Sequence, residues 1–424
     1  MNTVKIAVIG LGYVGLPLSS LLAVKNDVIA FDVDTNKIQS IMKSNIPIIE
    51  PDLEKYLRAA ILSKRLELTT DPSGIKDSDV KIITVGTPYN EVIDFIDYSQ
   101  LESSLNLIIP YLKPMDVLVL KSTVPPGTTM GMVKSRIESF GFKVPEDIGL
   151  VFSPERMIEG QAIRDFQSLP KIIGASDDRS FSVTKQFMSE LGGSIIRVSN
   201  PETAETVKMV DNYSRYVFLG LVNELALACE KIGVDVLEVI RAAKEDYTRN
   251  AGLLIPGPGV GGSCLNKDPF ILRGILRKSS LELEMLKSAS IVNSKATIHI
   301  AELVSMYRNS GSVTILGVAF KGDTDDTRFT PSFTIRDDLV AKGFVVKMVD
   351  PFVHGNGIYH DPYIASEGTG ILLVVTDHSD YRSIDLAKLR SVMAENPLII
   401  DTRGMIDRNT ADKLGFEYHG PGRL

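Results

Sequence analysis

The chain has 424 residues, a length that predicts two or three domains, and its 44% hydrophobic and 23% charged residues are typical of soluble globular proteins. A net charge of -7 without a basic run argues against nucleic acid and anionic membranes as partners, and no stretch is apolar enough to span a bilayer. Two cysteines exclude a disulfide framework and five histidines show no metal-ligand spacing, so we expect a cytoplasmic protein without a structural metal.

The first predicted element is a buried strand from Val4 to Ile9, which leads into the glycine motif GLGYVG. An apolar helix and a second strand follow, and that strand ends at Asp32. This order is typical of a dinucleotide-binding turn, in which Gly10 permits the turn, Gly12 lets backbone approach a pyrophosphate and Gly15 allows close helix packing. Asp32 favours NAD over NADP because its charge repels a 2′-phosphate. A flavin site and a sheet turn that binds no nucleotide are the alternatives.

The next three buried strands each end in residues that carry polar groups. We predict these strands at Val80–Val85, Asp116–Leu120 and Gly149–Phe152. Ligands of open parallel sheets bind beyond the carboxyl ends of the strands, so Thr87, Ser122 and Thr123 are expected near the nicotinamide half of the cofactor. Glu155 follows the third strand and is a candidate acid–base group. Alternatively, the Ser and Thr hydroxyls form turn or helix-cap hydrogen bonds, and Glu155 is a solvated acid.

A single long helix is predicted from Pro201 to about Ile232, with proline near its start and glycine just past its end. Lys208 and Asn212 are four residues apart, and Asn223 is about three turns further on, so the three side chains share one face. Polar groups on an otherwise apolar helix need a polar partner, which is either a bound substrate or a neighbouring helix. Cys229, on the same helix, is most simply a core residue.

The sequence PGPGVGGSCLNKD, residues 256–268, is too rich in glycine to form a helix or strand interior. It is a loop whose backbone can approach a phosphate-bearing ligand. Cys264 ends the glycine run, and Lys267 and Asp268 follow it, so Cys264 is a candidate covalent nucleophile whose thiolate a nearby ammonium favours. A surface turn with an incidental cysteine is the alternative. Helical patterning flanks the loop, from Val234 to Ala243 and from Pro269 to Asn309.

The last third of the chain returns to an α/β pattern without a GxGxxG motif. Its strands are predicted at Ser312–Val318, Val345–Val349, Gly370–Thr376 and Pro397–Ile400. Lys321 and Arg328, in the loop after the first of these strands, could take a phosphate or base, or pair with the neighbouring acids. The expected fold is α/β, with two Rossmann-like doubly wound domains joined by a long helix and a central helical region. The predicted domains are 1–200, binding NAD, 201–309, holding the cysteine loop and a dimer contact, and 310–424, a Rossmann-like domain without its own dinucleotide.

Six segments together resemble the UDP-sugar 6-dehydrogenases, in the order found in that family. They are GLGYVGLPL, STVPPGTT, SPER, KMVDN, GPGVGGSCLNKDP and FKGDTDDTR, and they span nearly the whole chain. The resemblance implies oxidation of the C6 alcohol of a UDP-sugar to a carboxylate by two NAD, through a thiohemiacetal and a thioester on Cys264. It also implies that Lys208 and Asn212 stabilise the C6 oxyanion, that Asp268 handles protons with Lys208, and that Thr123 and Glu155 hold the hydrolytic water.

The resemblance extends to the binding residues. The implied cofactor-binding residues are Gly10, Gly12, Tyr13, Val14, Gly15, Asp32, Lys37, Thr87, Ser122, Thr123, Lys267 and Arg328. The implied substrate-binding residues are Glu155, Arg156, Lys208, Asn212, Asn223, Arg249, Gly257, Gly259, Gly261 and Lys321, of which Arg249 would reach the substrate of a neighbouring subunit.

The identity of the sugar depends on two segments that point in different directions. Ser153-Pro-Glu-Arg156 looks like the branch that oxidises UDP-N-acetylmannosamine, whereas Ser263 and Lys267 look like the UDP-glucose enzymes. We favour UDP-N-acetylmannosamine, with UDP-glucose or UDP-N-acetylglucosamine as alternatives, and a role in polysaccharide biosynthesis.

Two other classes of protein are alternatives. One is a single-step dehydrogenase of the 6-phosphogluconate or 3-hydroxyacid type, which needs no cysteine. The other is a nucleotide-sugar sensor that has lost turnover, which would lack Cys264, Lys208 or Asp268. Finally, the apolar surface of the long helix predicts a homodimer.

Overall fold

The structure is a computed structural model that describes residues 4–43, 45–90, 95–277 and 279–423. The chain divides into two compact units. The first contains residues 1–211 and 270–278, and the second contains residues 212–269 and 279–424.

The first unit is built on a sheet that eight strands form within its described residues, in the order β10-β9-β8-β7-β4-β1-β2-β3. Neighbouring strands are parallel except β8 and β9, and β5 pairs separately with β6. The strands are β1 Lys5–Ile9, β2 Asp27–Phe31, β3 Leu66–Thr69, β4 Val80–Ile83, β5 Tyr89–Asn90, β6 Phe95–Ile96, β7 Val117–Leu120, β8 Gly149–Phe152, β9 Lys171–Ala175 and β10 Ile195–Val198.

Helices cover both faces of this sheet. They are α1 Gly15–Leu22, α2 Thr35–Met42, α3 Leu53–Leu62, α4 Ser99–Ile108, α5 Lys134–Glu138, α6 Ala162–Ser168 and α7 Asp178–Ser189. Alternate residues of β1 enter two different cores, Ile6 and Val8 on one face and Ala7 and Ile9 on the other. A strand covered on both faces needs apolar residues at every position, which is why β1 has no polar alternation.

The central part of the chain is helical. Its helices are α8 Pro201–Ile232, α9 Val236–Lys244, α10 Asp268–Leu276 and α11 Glu284–Tyr307. The bounds of α8 agree with the predicted helix at both ends. The helical run predicted from Pro269 to Asn309 is instead two helices, because residues 279–283 form no helix. Two serines, Ser279 and Ser280, stand at this break, and serine competes with the helix for backbone hydrogen bonds.

The second unit contains a parallel sheet, which six strands form among its described residues in the order β13-β12-β11-β14-β15-β16. The strands are β11 Ser312–Leu316, β12 Val345–Val349, β13 Ile358–Tyr359, β14 Ile371–Val374, β15 Leu398–Asp401 and β16 Glu417–His419. The helices beside them are α12 Pro331–Ala341, α13 Pro362–Ala365, α14 Leu386–Val392 and α15 Arg408–Lys413. Short 3-10 or π turns complete the chain at Pro72–Asp77, Ile109–Tyr111, Thr129–Val133, Thr248–Asn250 and Ser379–Ser383.

The α/β class with two Rossmann-like sheets and a helical central region is therefore confirmed. Every strand that the sequence predicts is present within one or two residues at each end. The sequence analysis missed the edge strands β3, β13 and β16 and the antiparallel partner β9. No helix among the described residues is both long and apolar enough to cross a membrane.

Candidate active site

The GLGYVG motif forms a tight connection between β1 and α1. Gly10 has φ +94°, a conformation that L side chains rarely adopt. A Cβ atom at Gly15 would lie 1.8 Å from the Gly10 carbonyl oxygen, whereas a Cβ at Gly12 would meet no atom within 4 Å. Gly15 is thus needed for packing, and the space beside Gly12 is open to a ligand at the N-terminus of α1. This geometry fits a dinucleotide pyrophosphate.

Asp32 follows β2 at the edge of this turn and is buried. Its Oδ2 accepts hydrogen bonds from the Leu11 amide at 2.7 Å and from Lys37 Nζ at 2.8 Å, and its Oδ1 accepts the Asp34 amide at 3.0 Å. Burial raises the pKa of Asp32, but these hydrogen bonds outweigh it and lower the pKa below its usual value. Asp32 is therefore a fixed anion, as the NAD interpretation requires.

The hydroxyls expected near the nicotinamide connect the ends of β4 and β7. Thr87 Oγ1 donates to the Thr123 carbonyl oxygen at 2.6 Å, and Ser122 Oγ donates to the Val85 carbonyl oxygen at 2.7 Å. Both hydroxyls thus donate hydrogen bonds within turns, which is the alternative role that the sequence left open for them. Their roles toward a cofactor stay predictions.

Glu205, in the second turn of α8, holds the loop that follows Thr123. Its Oε2 accepts the Gly127 amide at 2.6 Å, and its Oε1 accepts the Thr129 amide at 2.8 Å and the Thr129 hydroxyl at 2.6 Å. Burial raises the pKa of Glu205 to about 7, and the three hydrogen bonds reduce that rise without cancelling it. Glu205 was not predicted as a site residue.

Glu155 and Lys208 meet beyond the end of β8. Glu155 Oε1 accepts the backbone amides of Arg156 and Met157 at 2.8 and 2.9 Å, and Lys208 Nζ donates to the Glu155 carbonyl oxygen at 2.7 Å. The Glu155 Oε2 lies 3.2 Å from Nζ of Lys121, a buried lysine that the sequence analysis did not name as functional. Its position directly before Ser122, at a strand end, was the available signal.

Arg156, the last residue of the SPER segment, forms a bidentate pair with Asp211 on α8. The Nε–Oδ2 distance is 2.6 Å and the Nη2–Oδ1 distance is 3.3 Å. Planar pairs of this kind fix orientation as well as charge. The pair holds the SPER segment against α8, and its role toward a substrate stays a prediction.

Cys264, Asp268 and Asn212 lie in the second unit, where α10 begins. Cys264 is exposed, while Cys229 is buried in an apolar cluster. The Cys264 carbonyl oxygen accepts the Asp268 amide at 2.9 Å, which closes a turn between the two residues. Asp268 is fully buried, and its Oδ2 accepts Asn212 Nδ2 at 2.5 Å. Lys267 Nζ lies 3.6 Å from Asp268 Oδ1.

Asp268 Oδ1 has no hydrogen-bond partner among the described residues, although it is buried. Buried polar atoms without a partner are rare because each costs about 1–3 kcal/mol. This oxygen therefore has the capacity to take a proton or accept a hydrogen bond from a ligand. Cys264 and Asp268, which the sequence placed in one loop, are joined by a single turn, and Asn212 is hydrogen-bonded to Asp268.

The glycines before Cys264 let the loop pack against protein atoms. A Cβ at Gly259 would lie 2.1 Å from Thr297 Oγ1, and a Cβ at Gly261 would lie 2.5 Å from Phe320 Cβ. The Gly257 amide donates to Asn223 Oδ1 at 2.9 Å, and Asn223 Nδ2 donates to Asn293 Oδ1 at 3.0 Å. Asn223 thus has the inter-helix partner that the sequence left as an alternative, and it positions the loop.

The remaining basic residues predicted at the site differ in their surroundings. The Arg328 Nε and Nη2 atoms lie 2.5–3.0 Å from the carboxylate of Asp326, so Arg328 pairs locally. Arg249 is exposed, and its guanidinium lies 6.0 Å from the centre of the Tyr247 ring. Arg403 was missed by the sequence analysis. Its Nη1 would be 2.7 Å from a Cβ at Gly257, and its place after β15, at the carboxyl edge of a parallel sheet, was the signal.

These features define the class of protein: a dinucleotide-binding Rossmann unit, and a second unit with an exposed cysteine beside a buried acid. The chain belongs to the UDP-glucose/GDP-mannose dehydrogenase family, whose NAD binding domain matches residues 4–191, whose central domain matches residues 202–295 and whose UDP binding domain matches residues 314–408. It is an NAD-dependent UDP-sugar dehydrogenase, as the sequence predicted.

Similar proteins cover the chain almost completely. The UDP-N-acetyl-D-mannosamine dehydrogenase of Methanocaldococcus jannaschii is 32% identical over 98% of this chain and 96% of its own length. The UDP-glucose 6-dehydrogenase of Bacillus subtilis is 31% identical over 99% of this chain and 93% of its own length. The solved structure of UDP-D-ManNAc dehydrogenase from Pyrococcus horikoshii is similar with a TM-score of 0.89 and 29% identity, over 99% of each chain.

Proposed function

We propose that this enzyme oxidises the C6 hydroxyl of a UDP-sugar to a carboxylate in two NAD-dependent steps, through thiohemiacetal and thioester intermediates on Cys264. The observation that carries the proposal is the exposed Cys264 thiol, one turn from the buried Asp268, whose Oδ1 has no hydrogen-bond partner in the described part of the chain. A single-step dehydrogenase needs no cysteine nucleophile. The four-electron reaction needs both a nucleophile and a proton acceptor.

The cofactor site is proposed in the first unit. The backbone of Gly10 to Gly15, with Tyr13 and Val14, would hold the pyrophosphate, and Asp32 with Lys37 would hold the adenosine ribose. Thr87, Ser122 and Thr123 would lie near the nicotinamide. When bound, NAD supplies the hydride acceptor for both oxidations.

The covalent steps are assigned to Cys264 and its neighbours. In the first oxidation the C6 hydroxyl loses its proton and the C6 carbon loses a hydride, which gives an aldehyde. The Cys264 thiolate then bonds to C6, and the carbonyl oxygen takes a proton, which gives the thiohemiacetal. Loss of that proton and a second hydride leaves a thioester. Water adds to the thioester, the C–S bond breaks, and the thiolate and carboxylate are released with protons.

The side chains on α8 and α10 assist these steps. Lys208 and Asn212 are one helical turn apart on α8, so both face the same side and would donate to the C6 oxygen as negative charge develops there. Asp268, hydrogen-bonded to Asn212, would accept a proton through Oδ1. Glu155 and Thr123 would hold the hydrolytic water, with the Glu155 carboxylate next to Lys121.

Substrate binding is assigned mainly to the second unit. Gly257, Gly259, Gly261, Asn223 and Lys321 would form the UDP-sugar site, and Glu155, Arg156, Lys208 and Asn212 would contact the sugar, with Arg249 reaching the substrate of a second subunit. We further propose residues 1–200 as the NAD domain, 201–309 as the central domain with the cysteine loop, and 310–424 as the UDP domain.

The preferred sugar is UDP-N-acetyl-D-mannosamine, with its uronate as product. The SPER segment supports it, as does the similarity to the Methanocaldococcus and Pyrococcus proteins, which are both UDP-N-acetyl-D-mannosamine dehydrogenases. Ser263 and Lys267 support UDP-glucose, and the Bacillus relative is a UDP-glucose 6-dehydrogenase, so UDP-glucose is the second candidate.

We also propose a cytoplasmic homodimer that serves polysaccharide biosynthesis. Phe218, Leu221 and Leu225 lie three and four residues apart on α8 and are 37–41% exposed, so they form an apolar stripe. A stripe of this kind on a described surface is typical of an interface. The Cys264 thiol, on which the reaction depends, must stay reduced, which fits a reducing compartment.

The test is an assay of NADH formation with UDP-N-acetylmannosamine, UDP-glucose, UDP-N-acetylglucosamine and UDP-galactose. We expect two NADH for each uronate formed and the highest kcat/KM with UDP-N-acetylmannosamine. One NADH for each aldehyde released would refute the four-electron reaction. A higher kcat/KM with UDP-glucose would replace the sugar assignment.

A further inference from the structure

His378 is a fully buried imidazole that the proposed reaction does not use. It lies four residues after β14, and both of its ring nitrogens have partners. His378 Nε2 is 3.0 Å from Asp350 Oδ2, and the amide of Asp323 donates to His378 Nδ1 at 3.0 Å. The rings of Tyr381 and Phe352 pack against it, each with centroids 5.4 Å away.

The surroundings of Asp350 determine which nitrogen of His378 carries the proton. The Asp350 carboxylate accepts the amides of Val318 and Ala319 at 2.7 and 2.9 Å on Oδ2, and two further amides on Oδ1. Burial raises the pKa of Asp350, but the hydrogen bonds from His378 and these amides outweigh it and lower the pKa below its usual value. An ionised acceptor requires Nε2–H as the donor, so Nδ1 keeps the lone pair that accepts the Asp323 amide.

The segment that carries His378 holds the loop that follows β11. Ser379 donates its amide to Asp323 Oδ1 at 2.8 Å, and the Gly322 amide donates to Asp377 Oδ1 at 3.1 Å. Asp323 has φ +59°, an unusual conformation for a residue with a side chain. His378 therefore accepts an amide from a backbone turn that needs outside support to keep its shape.

The same loop contacts the cysteine loop. The Gly262 amide, two residues before Cys264, donates to the Arg328 carbonyl oxygen at 2.9 Å. The Phe320 ring packs so closely that a Cβ at Gly262 would lie 2.7 Å from it. Residues 320–328, which we call the basic loop, therefore lie against both His378 and the cysteine loop.

We propose that His378, as the neutral Nε2–H tautomer, is a positioning residue that holds the basic loop, with Lys321, in the conformation that binds UDP-sugar. The inference rests on the proposed role of Lys321 in the UDP-sugar site. His378 touches neither substrate nor cofactor in this scheme. It acts by linking the Asp350 carboxylate to the Asp323 amide, and the cysteine loop rests on the result.

Two substitutions separate the two hydrogen bonds of the ring. In His378→Asn the side-chain oxygen can occupy the Nδ1 position, so the acceptor for the Asp323 amide is kept and the donor to Asp350 is lost. In His378→Gln the amide nitrogen can occupy the Nε2 position, so the donor is kept and the acceptor is lost. His354→Asn, at an exposed histidine of the same unit, is the matched control.

Steady-state kinetics with UDP-sugar and NAD are compared for the full-length variants. We expect His378→Gln to raise the KM for UDP-sugar about tenfold, because one hydrogen bond to the basic loop is lost. We expect His378→Asn, which keeps that hydrogen bond, to have a KM for UDP-sugar within about threefold of the parent. A KM for UDP-sugar in His378→Gln equal to that of the parent, or an equal rise in His378→Gln and His378→Asn, would overturn the proposal.

A measurement without turnover covers the case in which the proposed reaction itself is wrong. The ¹⁵N chemical shifts of the histidine rings report the tautomer, and hydrogen exchange of peptides from residues 319–328 reports the hold on the loop. We expect Nε2–H, and at least tenfold faster exchange in His378→Gln than in the parent or His354→Asn. An Nδ1–H tautomer or unchanged exchange would refute the positioning role, whereas a parent that oxidises no UDP-sugar would refute the proposed function alone.

Discussion

Replacing Glu205 by glutamine tests whether a buried carboxylate under the Gly127–Thr129 loop makes the first unit sensitive to pH. Glu205 accepts three hydrogen bonds from that loop, and burial nevertheless raises its pKa from 4.5 to about 7. Because the folded pKa is above the unfolded value, the folded state keeps its proton while the unfolded state loses it. Folding is therefore favoured at low pH, and this stability is lost as the pH rises from about 4.5 toward 7.

The expected magnitude follows from the pKa difference. A pKa difference of about 2.5, at about 1.4 kcal/mol for each pKa unit, gives about 3.5 kcal/mol in total, of which about 2.5 kcal/mol falls between pH 5 and pH 8. Glu205→Gln removes this titration. Its amide group also sets an NH₂ against one of the loop donors, which costs about 1–3 kcal/mol at every pH. The variant is thus expected to be the less stable protein at pH 5 and close to the parent at pH 8.

The assay is urea denaturation at pH 5 and pH 8, followed by pulsed hydrogen exchange of peptides from residues 122–133, because two compact units need not unfold in one step. The measured quantity is the unfolding free energy of the parent minus that of Glu205→Gln. Glu146→Gln, at an exposed glutamate of the same unit, is the control and should show no pH-dependent difference. A Glu205 difference that changes by less than about 0.5 kcal/mol between the two pH values would refute the reasoning.

Three further predictions concern chemistry, cofactor and assembly. Cys264→Ser should bind NAD and UDP-sugar but form uronate at least about 10²-fold more slowly, since serine without an adjacent base is a weak nucleophile. Cys229→Ser should keep the parent rate. Product analysis and trapping of an acyl-enzyme check both variants, and near-parent uronate formation by Cys264→Ser would disprove the covalent route. Asp32→Ala should narrow the preference for NAD over NADP in kcat/KM, and a parent that uses NADP equally well would contradict the role of Asp32. Leu221→Glu should shift the protein from dimer to monomer in light scattering at micromolar concentration, and a monomeric parent would rule out the interface.

The fold could be predicted largely because buried parallel strands are short apolar runs that end in recognisable turns. The strand at Gly149–Phe152 and the helix Pro201–Ile232 were predicted with the bounds that the structure has. Strand β9, sequence KIIGA, was missed because it runs antiparallel to β8 at a point where no hairpin turn marks the reversal. Pairing direction depends on contacts between distant residues, which local sequence patterns do not contain.

The candidate site was predicted as residue types, and its internal contacts were not. Cys264 and Asp268 could be named from their loop, but the 2.5 Å hydrogen bond from Asn212 to Asp268 joins residues 56 apart in sequence. Asn223 shows the limit most clearly, because helical periodicity placed it on a polar face while only the structure reveals that it holds the Gly257 amide. Arg403 lies far along the chain from Gly257, and no spacing rule connects the two.

The unequal exposure of the two cysteines has a practical consequence. With Cys264 exposed and Cys229 buried in an apolar cluster, thiol reagents have one accessible target in the native protein. A maleimide fluorophore or a spin label would therefore attach at a single known position without any cysteine being removed first. The same accessibility exposes the Cys264 sulfur to oxidation by hydrogen peroxide. Preparations stored without a reductant should therefore lose activity before they lose structure.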